Sequence, residues 1–223
     1  MVELVSGLRA ERVRDNLERI RAQLDEAAAR SGRAAGAVEI LAATKYVSVD
    51  ELPVLARGGV RVVGENRAQD LEAKVAAHGE LFEWDFIGQL QSRRVRAIVP
   101  YVRLIHSVAS DSALRELERH RERCRPGLRI LVEVNVAAEE GKAGVRPDDL
   151  AGFISRAPVP VAGLMTMPPL AREPQESRRW FARLRELARE HGLEHLSMGT
   201  SQDYVVAAEE GATIVRIGTS LYE

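Results

Sequence analysis

The sequence is short of several things, and each shortage closes off a class of protein. It has a single cysteine, Cys124, so no internal disulfide can form, which fits a reducing compartment. It has no surplus of either charge: 32 lysines and arginines stand against 33 aspartates and glutamates, a formal net charge of −1. Charge alone therefore draws the chain toward neither nucleic acid nor an anionic membrane. Arginine is the usual base and mostly sits beside glutamate in helical stretches, the pattern of solvated faces. No apolar run approaches the roughly 20 residues of a membrane span. The opening MVELVSGLRAERVRDNLERI is charged from Glu3 onward and has no apolar core of signal-peptide length. The chain reads as cytoplasmic. No linker, composition shift or low-complexity tract divides it, so residues 1–223 are expected to form one domain. His78, His120, His191 and His195 show no metal spacing with one another or with the cysteine, and no metal is expected.

What is present is a core and a rhythm. Hydrophobic residues make up 45% and charged residues 29%, the balance of a globular protein. Leu8, Val13, Leu17, Ile20 and Leu24 fall on one helical face, and Gly32 follows as a stop. Then apolar runs alternate with helical stretches. The runs are 38–43, 60–64, 82–88, 102–108, 128–136, 159–165, 193–199 and 212–218. Ser48 and Glu51 read as a capping box for the helix that ends at Gly58-Gly59, and Ser110 or Asp111 as the cap of another. Eight strands, each but the last followed by a helical stretch, predict a parallel sheet with right-handed crossovers. That number argues for a closed (β/α)8 barrel, with an extra N-terminal helix, over an open doubly wound sheet. The open sheet would want a Gly-x-Gly-x-x-Gly turn after its first strand, and ATKYVS lacks one.

In such barrels the chemistry sits where strands end and loops begin. The sequence places Lys45 after the first strand, Gly64-Glu65-Asn66 after the second and Gly88-Gln89 after the third. His106 and Asn135 end the fourth and fifth strands. Met165, Thr166 and Met167 follow the sixth, and Ser197, Gly199, Thr200 and Ser201 the seventh. The end of the eighth gives Arg216, Gly218 and Thr219. Lys45 reads either as a strand-end lysine reaching water or as a Schiff-base lysine, made nucleophilic by partial burial. SMGTS and RIGTS each set glycine among hydroxyls. They read as tight turns or, taken together, as a phosphate site. Arg216 could be a salt-bridged rim residue, hold an anion or face a ring nitrogen. His106 reads as strand-end packing, Met165 and Met167 equally as core or ligand contacts, and Trp84 and Trp180 as core anchors. Cys124 reads as inert, though Arg123 and Arg125 could lower its pKa.

The blocks ATKY, GENRAQD, FIGQLQS, VNVAAEEGKAG, GLMTM, LSMGTSQDY and VRIGTSLY, in that order from Val38 to Tyr222, resemble the YggS/PROSC group of pyridoxal-phosphate-binding homeostasis proteins. The resemblance implies a barrel of the alanine-racemase N-terminal-domain type, consistent with the strand count. It implies that Lys45 holds pyridoxal 5'-phosphate as a Schiff base and that Asn66 lines the cofactor. Ser201, Gly218 and Thr219 would belong to the phosphate loops and Arg216 would stand near the pyridine nitrogen. Met165 and Ser197 complete the expected cofactor contacts, and no catalytic residue is expected. The sequence departs from the family pattern at Asp85, where a histidine is usual, at Arg93 and Arg94, where Asn-Lys is usual, and at Tyr204, where methionine is usual.

The function expected is intracellular buffering or delivery of the cofactor without robust catalysis. Pyridoxal-phosphate-dependent apoenzymes would be transient recipients, and the protein is expected to be a monomer. One rival is a racemase or decarboxylase using the same cofactor. Enzymes of that kind resemble this barrel but carry a second domain or partner subunit, for which no residues remain after Glu223. The other rival is a cofactor-free Schiff-base aldolase acting on a sugar phosphate.

Overall fold

Alternation along each strand decides which way its side chains face, and here it separates two populations of apolar residues. In the computed structural model, which describes residues 5–223, eight strands run parallel and close into a barrel in sequence order; the reading at Glu3 lies outside the described residues. They are β1 Glu39–Ala43, β2 Val62–Glu65, β3 Glu83–Phe86, β4 Leu104–Val108, β5 Arg129–Glu133, β6 Val161–Met165, β7 His195–Thr200 and β8 Ile214–Ile217. β1 pairs with both β2 and β8, Ala42 lying beside Val63 on one side and Ile217 on the other. Leu41, Val62, Leu104, Leu131, Met165 and Ile214 pack together as one cluster inside the barrel. Their neighbours Ala42, Val63, Ile105, Ile130, Val132, Leu164 and Val215 belong to a larger cluster shared with the helices outside. Each predicted strand is found, starting one or two residues later than predicted; β3, β5 and β8 stop one to three residues short, and β2 and β7 run one residue further.

The helices follow from amphipathic stretches that can cover that outer face. α1 spans Ala10–Arg30 and buries Val13, Ile20, Leu24, Ala27 and Ala28. α2 is Leu52–Arg57, α3 Ala68–His78, α4 Val95–Ile98, α5 Asp111–Arg119, α6 Leu150–Ser155, α7 Arg178–Glu190 and α8 Tyr204–Glu209. A four-residue helix, α9 Thr219–Tyr222, follows β8, where the sequence pattern shows no helix. α1 lies against α2, α8 and α9. Tyr204, one of the departures from the family pattern, is buried and donates from its hydroxyl to Gln23 Oε1 at 2.5 Å, tying α8 to α1.

Local signals were met unevenly. Ser110 caps α5 as expected, its hydroxyl accepting from Ala113 N–H at 3.2 Å. The capping box at Ser48 and Glu51 does not form. The chain enters a short 3-10 turn there, and the Glu51 carboxylate instead accepts from Gly7 N–H at 2.6 Å. The segment around Val5 runs beside the loop after β1 and competes for that carboxylate, Val5 N–H donating to Tyr46 O at 2.7 Å. Trp84 is a core residue, but Trp180 is only partly buried and lies under the Arg179 guanidinium. Cys124 is half-buried, and burial raises its thiol pKa while Arg121 pulls the other way, which accords with the reading of an inert thiol rather than an activated one. Among the described residues no helix is long and apolar enough to cross a membrane, and no three His, Cys, Asp or Glu side chains are grouped as a metal centre needs.

Candidate functional site

Six of the eight strand ends that the sequence marks bring residues to one cavity of about 670 Å³ at the C-terminal mouth of the barrel, whereas His106 and Asn135, marked at the ends of the fourth and fifth strands, do not line it. Lys45 enters it from just beyond β1, Asn66 from beyond β2, Met165 from β6 and Arg216 from β8. Ser201, Gly218 and Thr219 line the same cavity, so the hydroxyls and glycine of the last two loops share it with the lysine. Gly218 N–H donates to Ser201 Oγ at 3.2 Å, which binds the two loops to each other.

Three expected details are corrected. The partial burial that the Schiff-base reading of Lys45 invoked is absent, and the side chain reaches solvent as the alternative reading has it, its Nζ 4.5 Å from the centre of the Tyr46 ring. Ser197 is fully buried and lies behind Arg216 rather than on the cavity wall. Its Oγ accepts from Arg216 Nη1 at 2.6 Å. His106 is not mere packing, for its Nδ1 stands 2.8 Å from that same Ser197 oxygen.

Arg216 is the most constrained group at the site. It is buried, and its Nη2 donates to Thr166 O at 3.0 Å and to Met167 Sδ at 2.9 Å. Burial brings its pKa down to about 10, against the opposing pull of Asp203 and Glu133, so it stays charged near neutral pH. Met165 is core and cavity wall at once, whereas Met167 is exposed.

The backbone just before Lys45 is held by a polar cluster between the strand ends and α3. Lys74, from α3, is buried against Glu65 and donates to Thr44 O at 2.8 Å. Glu65 in turn accepts from Thr44 Oγ1 at 2.6 Å and from Asn66 N–H at 3.1 Å. One buried ion pair thus fixes the backbone at two adjacent strand ends of the mouth, just before Lys45 and at Asn66. Gly88 is needed for the same wall, because a Cβ there would stand 2.0 Å from Asn66 O.

Comparison with known proteins agrees with the barrel fold. The family model for the alanine racemase N-terminal domain matches residues 11–223. The pyridoxal phosphate homeostasis protein of Aquifex aeolicus is 39% identical over 219 residues, covering 93% of this chain and 96% of that one. The chain belongs to the pyridoxal phosphate homeostasis protein family. Among solved structures, an unknown protein from Bifidobacterium adolescentis matches with a TM-score of 0.87 at 29% identity, over 99% of this chain and 98% of that one. PipY of Synechococcus elongatus with PLP bound matches with a TM-score of 0.78 at 29% identity, over 95% and 100%.

Several lining residues of this family member escape a reading of the sequence. Glu133 faces the cavity half-buried, and burial pushes its carboxyl pKa up against the pull of Arg216 and Lys142. Its signal was available: alternation through Ile130, Leu131 and Val132 puts residue 133 inward at a strand end. Tyr222 lines the cavity and donates to Ala43 O at 3.0 Å, and Val5 lines it from the N-terminal segment. Neither carries a local pattern that points there.

Proposed function

We propose that this chain binds pyridoxal 5'-phosphate in the mouth cavity and serves to store and hand on that cofactor, as one domain over 1–223. The observation that carries the reading is the shared cavity: Lys45 opens into the space lined by Arg216 and the Ser201, Gly218 and Thr219 loops. Two details suit the group. Asn66 Oδ1 is buried at the cavity with no hydrogen-bond partner among the described residues, a vacancy a polar ligand would fill. The space over Gly218 is open, a Cβ there meeting no atom within 4 Å, which leaves room for a phosphate beside the Ser201 and Thr219 hydroxyls.

Lys45 would hold the cofactor covalently through Nζ, Ser201 and Thr219 would donate hydroxyls to its phosphate, and Met165 and Asn66 would bound its ring. When bound, pyridoxal phosphate supplies an aldehyde that condenses with amines and a ring that can withdraw electrons from the attached carbon. Arg216 governs that second property. A guanidinium only donates, so a ring nitrogen facing it must accept and stay unprotonated, which weakens the withdrawal. The open mouth points the same way: Lys45 and Met167 are exposed, so water is poorly excluded from any reacting centre. Holding and releasing the cofactor to apoenzymes needs neither a strong sink nor a dry site.

The test is spectroscopic. Protein mixed with pyridoxal phosphate should develop the visible band of the lysine-linked cofactor, and Lys45→Ala should abolish it while the fold survives. A band that persists in Lys45→Ala overturns the lysine assignment. Racemase or decarboxylase turnover on common amino acids would overturn the storage reading, and turnover of a sugar phosphate without cofactor would favour an aldolase.

A further inference from the structure

Inside the barrel, beneath the cavity, a row of polar side chains runs from the N-terminal end to Arg216. Arg103 grips Asp85 with two hydrogen bonds, Nε to Oδ1 at 2.9 Å and Nη2 to Oδ2 at 3.1 Å, and pairs with Glu39 on its other edge. Asp85 Oδ2 also stands 3.1 Å from His106 Nε2. His106 Nδ1 meets Ser197 Oγ at 2.8 Å, and that oxygen meets Arg216 Nη1 at 2.6 Å. Asp85, His106 and Ser197 are almost wholly shut from solvent.

Each proton in this row has one allowed place. Asp85 is paired bidentately with an arginine and offers acceptors only. His106 is neutral, because burial pushes its pKa down despite the help of Asp85. A neutral imidazole has one N–H, and Asp85 claims it at Nε2, which leaves Nδ1 bare. Ser197 must then turn its single proton to Nδ1 and present only lone pairs to Arg216. Arg216 carries five N–H donors, and Ser197, Thr166 O and Met167 Sδ engage three. Two remain for whatever lies in the cavity. Moving the His106 proton to Nδ1 would set two buried acceptors, Nε2 and Asp85 Oδ2, face to face, and turning the Ser197 proton toward Arg216 would set two buried donors face to face.

We propose that Asp85 and His106 are positioning residues for the cofactor cavity: Asp85 selects the tautomer of His106, His106 aims the Ser197 hydroxyl, and Ser197 holds the Arg216 guanidinium toward the cavity. Asp85, a departure from the family pattern, is here the residue that reads Arg103. A histidine at 85 could not accept from Arg103 twice and from His106 as well. The proposal rests on the preceding section only in taking pyridoxal phosphate as the occupant.

Two measurements test it. In 15N-labelled protein without ligand at neutral pH, His106 should show the Nε2–H tautomer, and Asp85→Asn should change or mix it. In pyridoxal phosphate titrations, Asp85→Asn and Ser197→Ala should each raise the apparent Kd about tenfold, as expected for one mispaired buried group. The double variant should be no worse than the poorer single one, because the groups act in series. Ser197→Ala removes one oxygen, so it serves if Asp85→Asn does not fold. An Nδ1–H or cationic His106 in the unvaried protein overturns the proposal. Unchanged affinity in folded Ser197→Ala, or additive losses in the double variant, also overturns it. If the unvaried protein takes up no pyridoxal phosphate, the proposed function fails while the tautomer measurement still decides the chain.

Discussion

The layer between strands and helices and the lumen of the barrel are built on different principles. The outer layer is one continuous apolar cluster from α1 to α9, interrupted at the mouth by the Lys74–Glu65 pair. Its stability comes from area removed from water, a non-directional term in which neighbours of similar volume substitute for one another. The lumen has six buried apolar residues and, above and beside them, Asp85, His106, Ser197 and Arg216. There the order of donors and acceptors matters more than volume. The difference shows how a small barrel divides its labour: the outside keeps the sheet closed, and the inside keeps one cation aimed.

That contrast can be broken by substitution. Arg103→Met should cost the most, about 3 kcal/mol, because it strips the fully buried Asp85 of its cation. This is the low end for a buried pair, since Arg103 keeps an edge in water. Urea unfolding checks it, and a loss below 1 kcal/mol would make the lumen as forgiving as the outer layer.

Acid is the next lever. The folded barrel holds His106 neutral with a pKa below that of the unfolded chain, about 6.5. Below that value the unfolded state binds the extra proton and the folded state does not, so stability falls as pH falls. The slope approaches about 1.4 kcal/mol per pH unit and should vanish above roughly pH 7. Chemical denaturation across pH, compared with His106→Asn, isolates this term; an unchanged slope in the variant would assign it elsewhere. The smallest effect belongs to the outer layer. Ile130→Val should cost about 1 kcal/mol and leave cofactor affinity untouched. A larger loss there than in Arg103→Met would invert the comparison.

How much of this could be read from the sequence divides along the same line. The outer layer was legible because alternation and helical periodicity are local, and eight strands and their helices stand where the pattern puts them. The cavity was legible in outline, since Lys45, Arg216, Ser201, Gly218 and Thr219 lie at or just past strand ends. The chain beneath it was not. His106 and Ser197 are 91 positions apart and Asp85 and Arg103 are 18, so no local pattern pairs them. Asp85 could be noticed only as a departure, without its meaning. Ser48 and Glu51 misled in the opposite way: the local motif was present, but Gly7, 44 positions off, took the carboxylate.

The loop after β5 carries a consequence for how this sequence can drift. It folds back so that Val145 N–H donates to Glu133 O at 2.7 Å and Asn135 N–H to Val145 O at 3.0 Å, which lengthens the wall beside the mouth. The fold-back passes through Gly144 at φ +118°, where a Cβ would lie 2.5 Å from Asn135 N. Neither handedness nor room admits another residue. While the exposed Glu140 nearby can vary with the solvent it faces, position 144 is closed to selection for anything but glycine.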